Sequence, residues 1–243
     1  MKIIIVYNIY IDNNVNKNWK YIVLGQLKDL KKSNILKSIK YINFTITANN
    51  KKYMRRCVNL LKSYFIYSKL IKNQYIKFHI TKKYINKYEY YSIYNVYKLA
   101  LKNQNDIILY FHTKGMSHNR KRINIEKLLT KSILNPDNII NFFIEHDNIN
   151  KVGLFPSNGG FIWFNFWYVR CSYINKIECP IESDNRWYYE GWLANYKPNV
   201  DVNVNDCYSL FKNNNQLFTG EETNNYIKNL NKYLTIYKIN KHY

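Results

Sequence analysis

The chain has 243 residues, 47% hydrophobic and 17% aromatic, which excludes a disordered polymer and gives one domain enough material for its own core. Lys and Arg number 37 against 16 Asp and Glu, a formal charge of +21, so an acidic surface is excluded and anionic partners are admitted. Two readings of that excess stay open. Lys, Asn, Ile and Tyr belong to AT-rich codons, so compositional drift is one. Attraction to nucleotide diphosphates, phospholipid heads or acidic glycans is the other. The basic residues look scattered, and the densest run, Arg120-Lys121-Arg122, is short. A nucleic-acid partner is therefore disfavoured.

In chain order, Ile3 to Tyr7 is a β-branched run that reads as a strand buried on both faces. With only one Lys and no small-residue cleavage site, it does not read as a signal peptide. Trp19 to Lys32 places Ile22, Val23, Leu27 and Leu30 near helical spacing. A strand at Tyr41–Thr47, a helix at Lys52–Tyr67, a strand at Tyr75–Ile80, a helix at Tyr90–Lys102 and an apolar strand at Asp106–Phe111 follow. That alternation predicts an α/β fold with a mostly parallel central sheet and helices on both faces. Beyond Gly115, residues Arg122 to Asp147 read as helix broken at Asn135-Pro136. Then come strands at Lys151–Phe155 and Gly160–Tyr168, a short aromatic helix at Asn185–Asn195, a last strand at Asn203–Lys212 and a terminal helix at Glu221–Leu234. No run approaches the ~18 apolar residues of a membrane span. Cys57, Cys171, Cys179 and Cys207 form no CxxC pair or zinc spacing and read as free thiols of a reducing compartment. A cytoplasmic protein is expected, in the host cytoplasm if a virus encodes it.

Ligands of open parallel sheets bind at the carboxyl ends of the strands, so the loops after Tyr7, Thr47, Ile80 and Phe111 should line a site. Three segments there carry chemistry. The first is His112-Thr113-Lys114-Gly115, ending an apolar strand. Lys114 offers a point charge to a diphosphate, Thr113 a hydroxyl, His112 a proton carrier or ligand, and Gly115 a tight turn. The second, Gly159 to Tyr168, combines two glycines with flat aromatic faces and one polar residue, Asn165. The third, Asp184 to Leu193, sets Glu190 among aromatics, where apolar surroundings suit a general base. Arg186, four residues earlier, is spaced to pair with Glu190 on a helix. Glu89 reads as a carboxylate on a helix dipole, a structural role. Asp106 opens its strand at the end away from the site.

Taken together, these segments resemble glycosyltransferase-like proteins of bacterial and viral polysaccharide gene sets. The matches are His112-Thr113-Lys114-Gly115, Asn165-Phe166-Trp167-Tyr168 and Tyr189-Glu190-Gly191-Trp192-Leu193, joined by Tyr7, Trp19, Gln26 and Leu30 and by Tyr88-Glu89-Tyr90 leading into Asn95. The resemblance implies a single GT-A-like domain over 1–243. Residues 1–115 would form the nucleotide-binding half, and 116–243 the acceptor-side half with a C-terminal helical extension. It implies sugar transfer from a nucleotide-sugar donor, UDP-sugars favoured, to a glycan or other hydroxyl acceptor. Tyr7, Asn49, His112, Thr113, Lys114 and Gly115 would bind the donor, and Gly160, Asn165, Trp167 and Trp192 the acceptor. Glu190 would act as base in an inverting transfer, with His112 assisting. Many GT-A enzymes end the fourth strand with a DxD motif that holds Mn²⁺ or Mg²⁺. Here His112-Thr113-Lys114 stands in that place, and a divalent cation stays an open question. Phe164 stands where Gly is expected before the Asn. An inactive glycan-binding relative and a basic nucleic-acid-binding protein are the competing readings.

Overall fold

The computed structural model describes residues 1–67, 77–116, 119–201 and 203–229. In chain order the elements are β1 (Ile3–Ile11), α1 (Trp19–Lys31), β2 (Ile39–Ala48), α2 (Lys51–Tyr67), β3 (Lys77–Lys83), α3 (Tyr90–Lys102) and β4 (Ile107–His112). They continue with α4 (Asn124–Leu134), α5 (Ile139–Glu145), β5 (Lys151–Gly153), β6 (Trp167–Arg170), α6 (Cys171–Ile174), α7 (Arg186–Gly191), β7 (Cys207–Ser209) and α8 (Gly220–Lys228). Among the described residues the seven strands form one sheet, ordered β3-β2-β1-β4-β6-β5-β7. Only β6 runs against its neighbours β4 and β5; the other pairings are parallel.

The β-branched run at the N-terminus makes this sheet. Ile3, Ile5, Tyr7, Ile9 and Ile11 face one apolar layer with α1, α2, α4 and α5. Ile4 and Val6 face the other, with α3 and α6. All seven are fully buried, and burying an aliphatic side chain of this size contributes about 1.5–3 kcal/mol. The α/β reading and the helices on both faces are as expected from sequence. α8 carries a capping box, in which the Thr219 hydroxyl accepts from the Glu222 amide and Glu222 accepts from the Thr219 amide. The terminal helix is described as far as Lys228; residues 230–234 of the expected helix, and 75–76 of the expected third strand, lie outside the described residues.

The C-terminal half departs from expectation. Gly160–Tyr168 is not a strand: residues 163–165 form a short 3-10 turn, and only Trp167–Arg170 pairs in the sheet. The expected strands at Lys151–Phe155 and Asn203–Lys212 shrink to three residues each. The Asn185–Asn195 helix stops at Gly191 and passes into a 3-10 turn, Trp192–Ala194. The reason is that short segments here are held by side chains as much as by ladders. Lys151 and Asp206 form a fully buried ion pair at 2.7 Å. The Lys151 ammonium also donates to the Gly160 carbonyl at 2.8 Å and the Tyr173 hydroxyl at 2.9 Å. That centre joins β5, the Gly160 turn, α6 and β7.

Candidate functional site

β1 sends its chain to β2 on one side, and β4 lies on its other side. The sheet's switch point is therefore between β1 and β4, where a crevice is expected outside the carboxyl ends. In register, Asn8 of β1 sits beside His112 of β4. A cavity of ≈ 300 Å³ opens there, with walls from β1 (Asn8, Tyr10), from the segment before α3 (Tyr88, Glu89), from His112 to Met116, from Phe164 and Asn165, and from Arg186, Trp187 and Glu190. Three of the four expected loops contribute; the one after β2 does not.

The loop after β4 is fixed at both ends. Thr113 Oγ1 accepts from the Tyr10 amide at 3.0 Å, and the Thr113 amide donates to the Asn8 carbonyl. The Thr113 hydroxyl is thus engaged in joining two strand ends. Asn16 Nδ2 donates to the carbonyls of Gly115 and Arg120, and Gly115 takes φ +89, which suits glycine. Behind the loop runs a buried chain of polar groups. Tyr7 donates to Gln26 Oε1 at 2.5 Å, and Gln26 Nε2 donates to the His112 carbonyl and to Thr130 Oγ1, both at 3.0 Å. Thr130 donates to Glu126, which Arg122 clamps at 2.6 and 2.8 Å. Gly25 makes room for that guanidinium, since a Cβ there would stand 2.2 Å from Arg122 Cδ.

Across the crevice the backbone is strained. Phe164 has φ +72 and Asn165 φ +53, two consecutive non-glycine residues in the left-handed region, at a cost of about 1–3 kcal/mol each. The surrounding side chains hold them there. The Phe164 amide donates to Glu190 Oε1 at 2.6 Å, and its carbonyl accepts from His112 Nε2 at 2.9 Å. Asn165 Nδ2 donates to Glu89 Oε2 and to the Tyr189 carbonyl, both at 3.1 Å, while Asn165 Oδ1 accepts from Trp167 Nε1. Glu89 Oε2 also accepts from the Tyr110 hydroxyl at 2.7 Å. The glycine expected at position 164 is explained: the backbone there takes a glycine-like φ with a phenylalanine in place.

Lys114 lies half-buried in this crevice, its ammonium 4.5 Å from the centroid of the Phe164 ring. Among the described residues it has neither a hydrogen bond nor an ion pair within 4 Å. Burial pushes its pKa below that of an ordinary lysine, and the charges of Glu190 and Glu89 oppose this only in part. Arg186 does not form the expected pair with Glu190. Its guanidinium lies 4.3 Å from the ring centroid of Trp187, which is 59% exposed at the cavity mouth. Among the described residues no group of three His, Cys, Asp or Glu side chains is placed to hold a metal ion.

His112, Thr113, Lys114, Gly115, Asn165 and Glu190 therefore meet at one cavity, as expected. Five assignments are corrected. Tyr7 is buried in mid-strand, because β1 runs on to Ile11. Asn49 is exposed beyond β2, away from the cavity lining. Trp167 is fully buried, stacked on Tyr110 at 4.8 Å, and Trp192 is fully buried with its indole N–H on the Glu178 carbonyl. Gly160 is a buried turn residue whose carbonyl holds Lys151. Sequence reasoning missed Glu89, which it placed on a helix dipole, and Trp187, whose exposure in a six-residue helix has no sequence signal. Asp106 is remote from the site, paired with Lys40 at 2.7 Å. No helix among the described residues is long and apolar enough to cross a membrane.

Comparison with known proteins adds one relation. No curated protein matches the chain. A family model described as a domain of unknown function, DUF8361, matches residues 6–190, a span that contains every residue lining the cavity. The match covers most of the chain, and the protein belongs to this family.

Proposed function

We propose that the protein is a glycosyltransferase that moves a sugar from a nucleotide-sugar donor, a UDP-sugar favoured, to a hydroxyl acceptor on a glycan. The observation that carries the proposal is Lys114. It is a half-buried cation at the switch-point crevice of an α/β sheet, with no carboxylate at ion-pair distance among the described residues, and a cation held partly out of water favours an anionic partner. A diphosphate supplies the missing partner, with Arg186 as a second cation at the mouth. Trp187 and Tyr88 offer exposed flat faces for a base or sugar ring.

On this reading Glu190 is the base. One of its oxygens is fixed by the Phe164 amide, and the other is left to accept the proton of the acceptor hydroxyl. The acceptor oxygen bonds to the anomeric carbon as the carbon–oxygen bond to the diphosphate breaks. The nucleoside diphosphate leaves with the bonding electron pair, and Lys114 and Arg186 stabilise its charge. His112, with Nε2 donating to the Phe164 carbonyl, positions the peptide that positions Glu190. The described residues offer no ready donor set for a divalent cation, and no step is assigned to one. The cytoplasm fits this activity, with nucleotide sugar and glycan as partners and nucleic acid disfavoured.

The test is thermal stabilisation by UDP, GDP, CDP and dTDP and their sugars, each with and without Mn²⁺, followed by transfer assays with the stabilising donor. Stabilisation by one nucleotide family is expected. Glu190→Gln should retain it and lose about 10²–10⁴-fold in turnover. No stabilisation by any nucleotide would sink the proposal. Glycan binding by a parent protein without turnover would favour the inactive relative.

A further inference from the structure

The charge of the chain is unevenly divided. Residues 1–115 carry 22 basic and 4 acidic side chains, a net of +18, and residues 116–243 carry 15 and 12, a net of +3. Between Asp29 and Glu89 there are 15 basic residues and no acidic one. Codon drift toward Lys and Asn acts on a whole chain alike and does not empty one half of acids. The uneven division therefore points to an anionic partner for the N-terminal half.

The fold gathers part of that run onto one surface. α1 and α2 lie side by side, joined where the Tyr64 hydroxyl donates to the Leu27 carbonyl at 3.1 Å. Between them runs an open groove of ≈ 820 Å³ with Leu24, Leu60 and Tyr64 along it and Lys28, Lys31 and Lys32 at its edge. All three lysines are exposed. Asp29, in their midst, is engaged with Arg122 at 2.7 Å and does not offset them. At the end of α2, Ile66 is 61% and Tyr67 84% exposed. Lys28, Lys31 and Lys32 line one groove with the half-buried Leu24, Leu60 and Tyr64 and the exposed Tyr67, and exposed Ile66 precedes Tyr67 on α2, a combination that suits the boundary between anionic head groups and acyl chains. Single-stranded nucleic acid is held by rings on which bases stack; here the rings of Tyr64 and Tyr67 share the face with Leu24, Leu60 and Ile66, whose aliphatic side chains suit acyl chains and not bases.

We propose that the α1–α2 face docks on an anionic phospholipid surface, with Lys28, Lys31 and Lys32 among the head groups and Ile66 and Tyr67 at the acyl boundary. The proposal is independent of the activity assigned to the crevice. The groove is formed by the later turns of both helices, and the crevice lies at the strand ends from which those helices start. Docking therefore leaves the crevice open.

Flotation of the full chain with vesicles of phosphatidylcholine and phosphatidylglycerol at about 2:1, against phosphatidylcholine alone, tests this. Binding to the anionic vesicles only is expected. K28Q/K31Q/K32Q should weaken it about 100-fold, at about 1 kcal/mol per basic residue. I66S/Y67S should weaken it severalfold while leaving affinity for poly(U) RNA unchanged. K98Q/K102Q/K176Q removes the same charge from exposed positions on the opposite face and should leave vesicle affinity near the parent's. Hydrogen exchange of the parent chain gives a reading free of variants: vesicles should slow exchange in the later turns of α1 and α2 and leave α3 unchanged. Equal weakening by the two triple variants overturns the proposal, as does full vesicle binding by I66S/Y67S or unchanged exchange in α1 and α2. Tighter binding of poly(U) than of vesicles through the same three lysines would assign the face to nucleic acid instead.

Discussion

Lys151 is fully buried and Lys114 half-buried, and their surroundings differ. Lys151 has a carboxylate at 2.7 Å, a carbonyl at 2.8 Å and a hydroxyl at 2.9 Å. Burial favours its neutral form, yet Cys207, Asp206 and Tyr196 outweigh burial, and its pKa lies above the ordinary value. Lys114 has no such set; burial dominates and its pKa lies below. A centre closed on itself holds structure, whereas Lys114, on which Glu190 and Glu89 act only from beyond ion-pair distance, suits the external anion proposed for it. The same comparison separates two buried networks. The Lys151 cluster ends in the β5–β7 core. The chain Arg122–Glu126–Thr130–Gln26 ends on the His112 carbonyl, at the cavity.

The largest effect should come from opening the closed centre. Asp206→Ala leaves Lys151 buried with an unpaired charge and should cost about 3–5 kcal/mol. Denaturant titration should show that loss, while nucleotide affinity per folded molecule stays the same. A loss of affinity equal to that of a crevice variant would erase the distinction. Next in size, Lys114→Met should weaken nucleotide diphosphate binding by about 10- to 100-fold, the worth of a charged hydrogen bond of about 1.5–3 kcal/mol, with no loss of melting temperature. Lower stability in that variant would mean that Lys114 already has a partner in the fold. Phe164→Gly should relieve about 1 kcal/mol or more of backbone strain and give up ring contacts of similar worth. Its melting temperature should change little, while turnover falls as Glu190 loses a rigid mount.

The smallest effect is a pH dependence of opposite sign at the two lysines. For Lys114 the folded pKa is below the unfolded one, near 10.5. The unfolded chain then holds more protons in that window, and stability rises with pH up to about 10.5. For Lys151 the folded pKa is higher, so its contribution is complete below 10.5 and is lost as pH rises through the folded value. Melting temperature against pH should rise and then fall, and Lys114→Met should remove the rise alone.

The N-terminal half was legible because its strands are buried on both faces, so unbroken runs such as Ile3–Tyr7 and Asp106–Phe111 leave few alternatives. That also placed His112 to Gly115 at a strand end, and so at the site. The aromatic stretch from Gly160 to Tyr168 misled. Beyond Gly160 the run has no further Gly, Pro or Asp and reads as a strand, yet Phe164 and Asn165 turn the chain by taking positive φ. The hydrogen bonds that hold them there come from residues 112, 89 and 190, which no local pattern reveals. Tryptophans had the same difficulty: residue type does not distinguish Trp167, stacked in the core, from Trp187, exposed at the mouth.

The peptide of Phe164 has a consequence for how this fold diversifies. Its N–H is fixed by Glu190 and its carbonyl by His112, so one rigid spacer sets the distance between two crevice walls. A lineage that replaces Glu190 must supply another acceptor for that amide, or place glycine at position 164, where the positive φ costs it nothing. Substitutions at 112, 164 and 190 are therefore expected to arise as a set, and chimaeras that mix them to misplace the base even where every residue is individually tolerated.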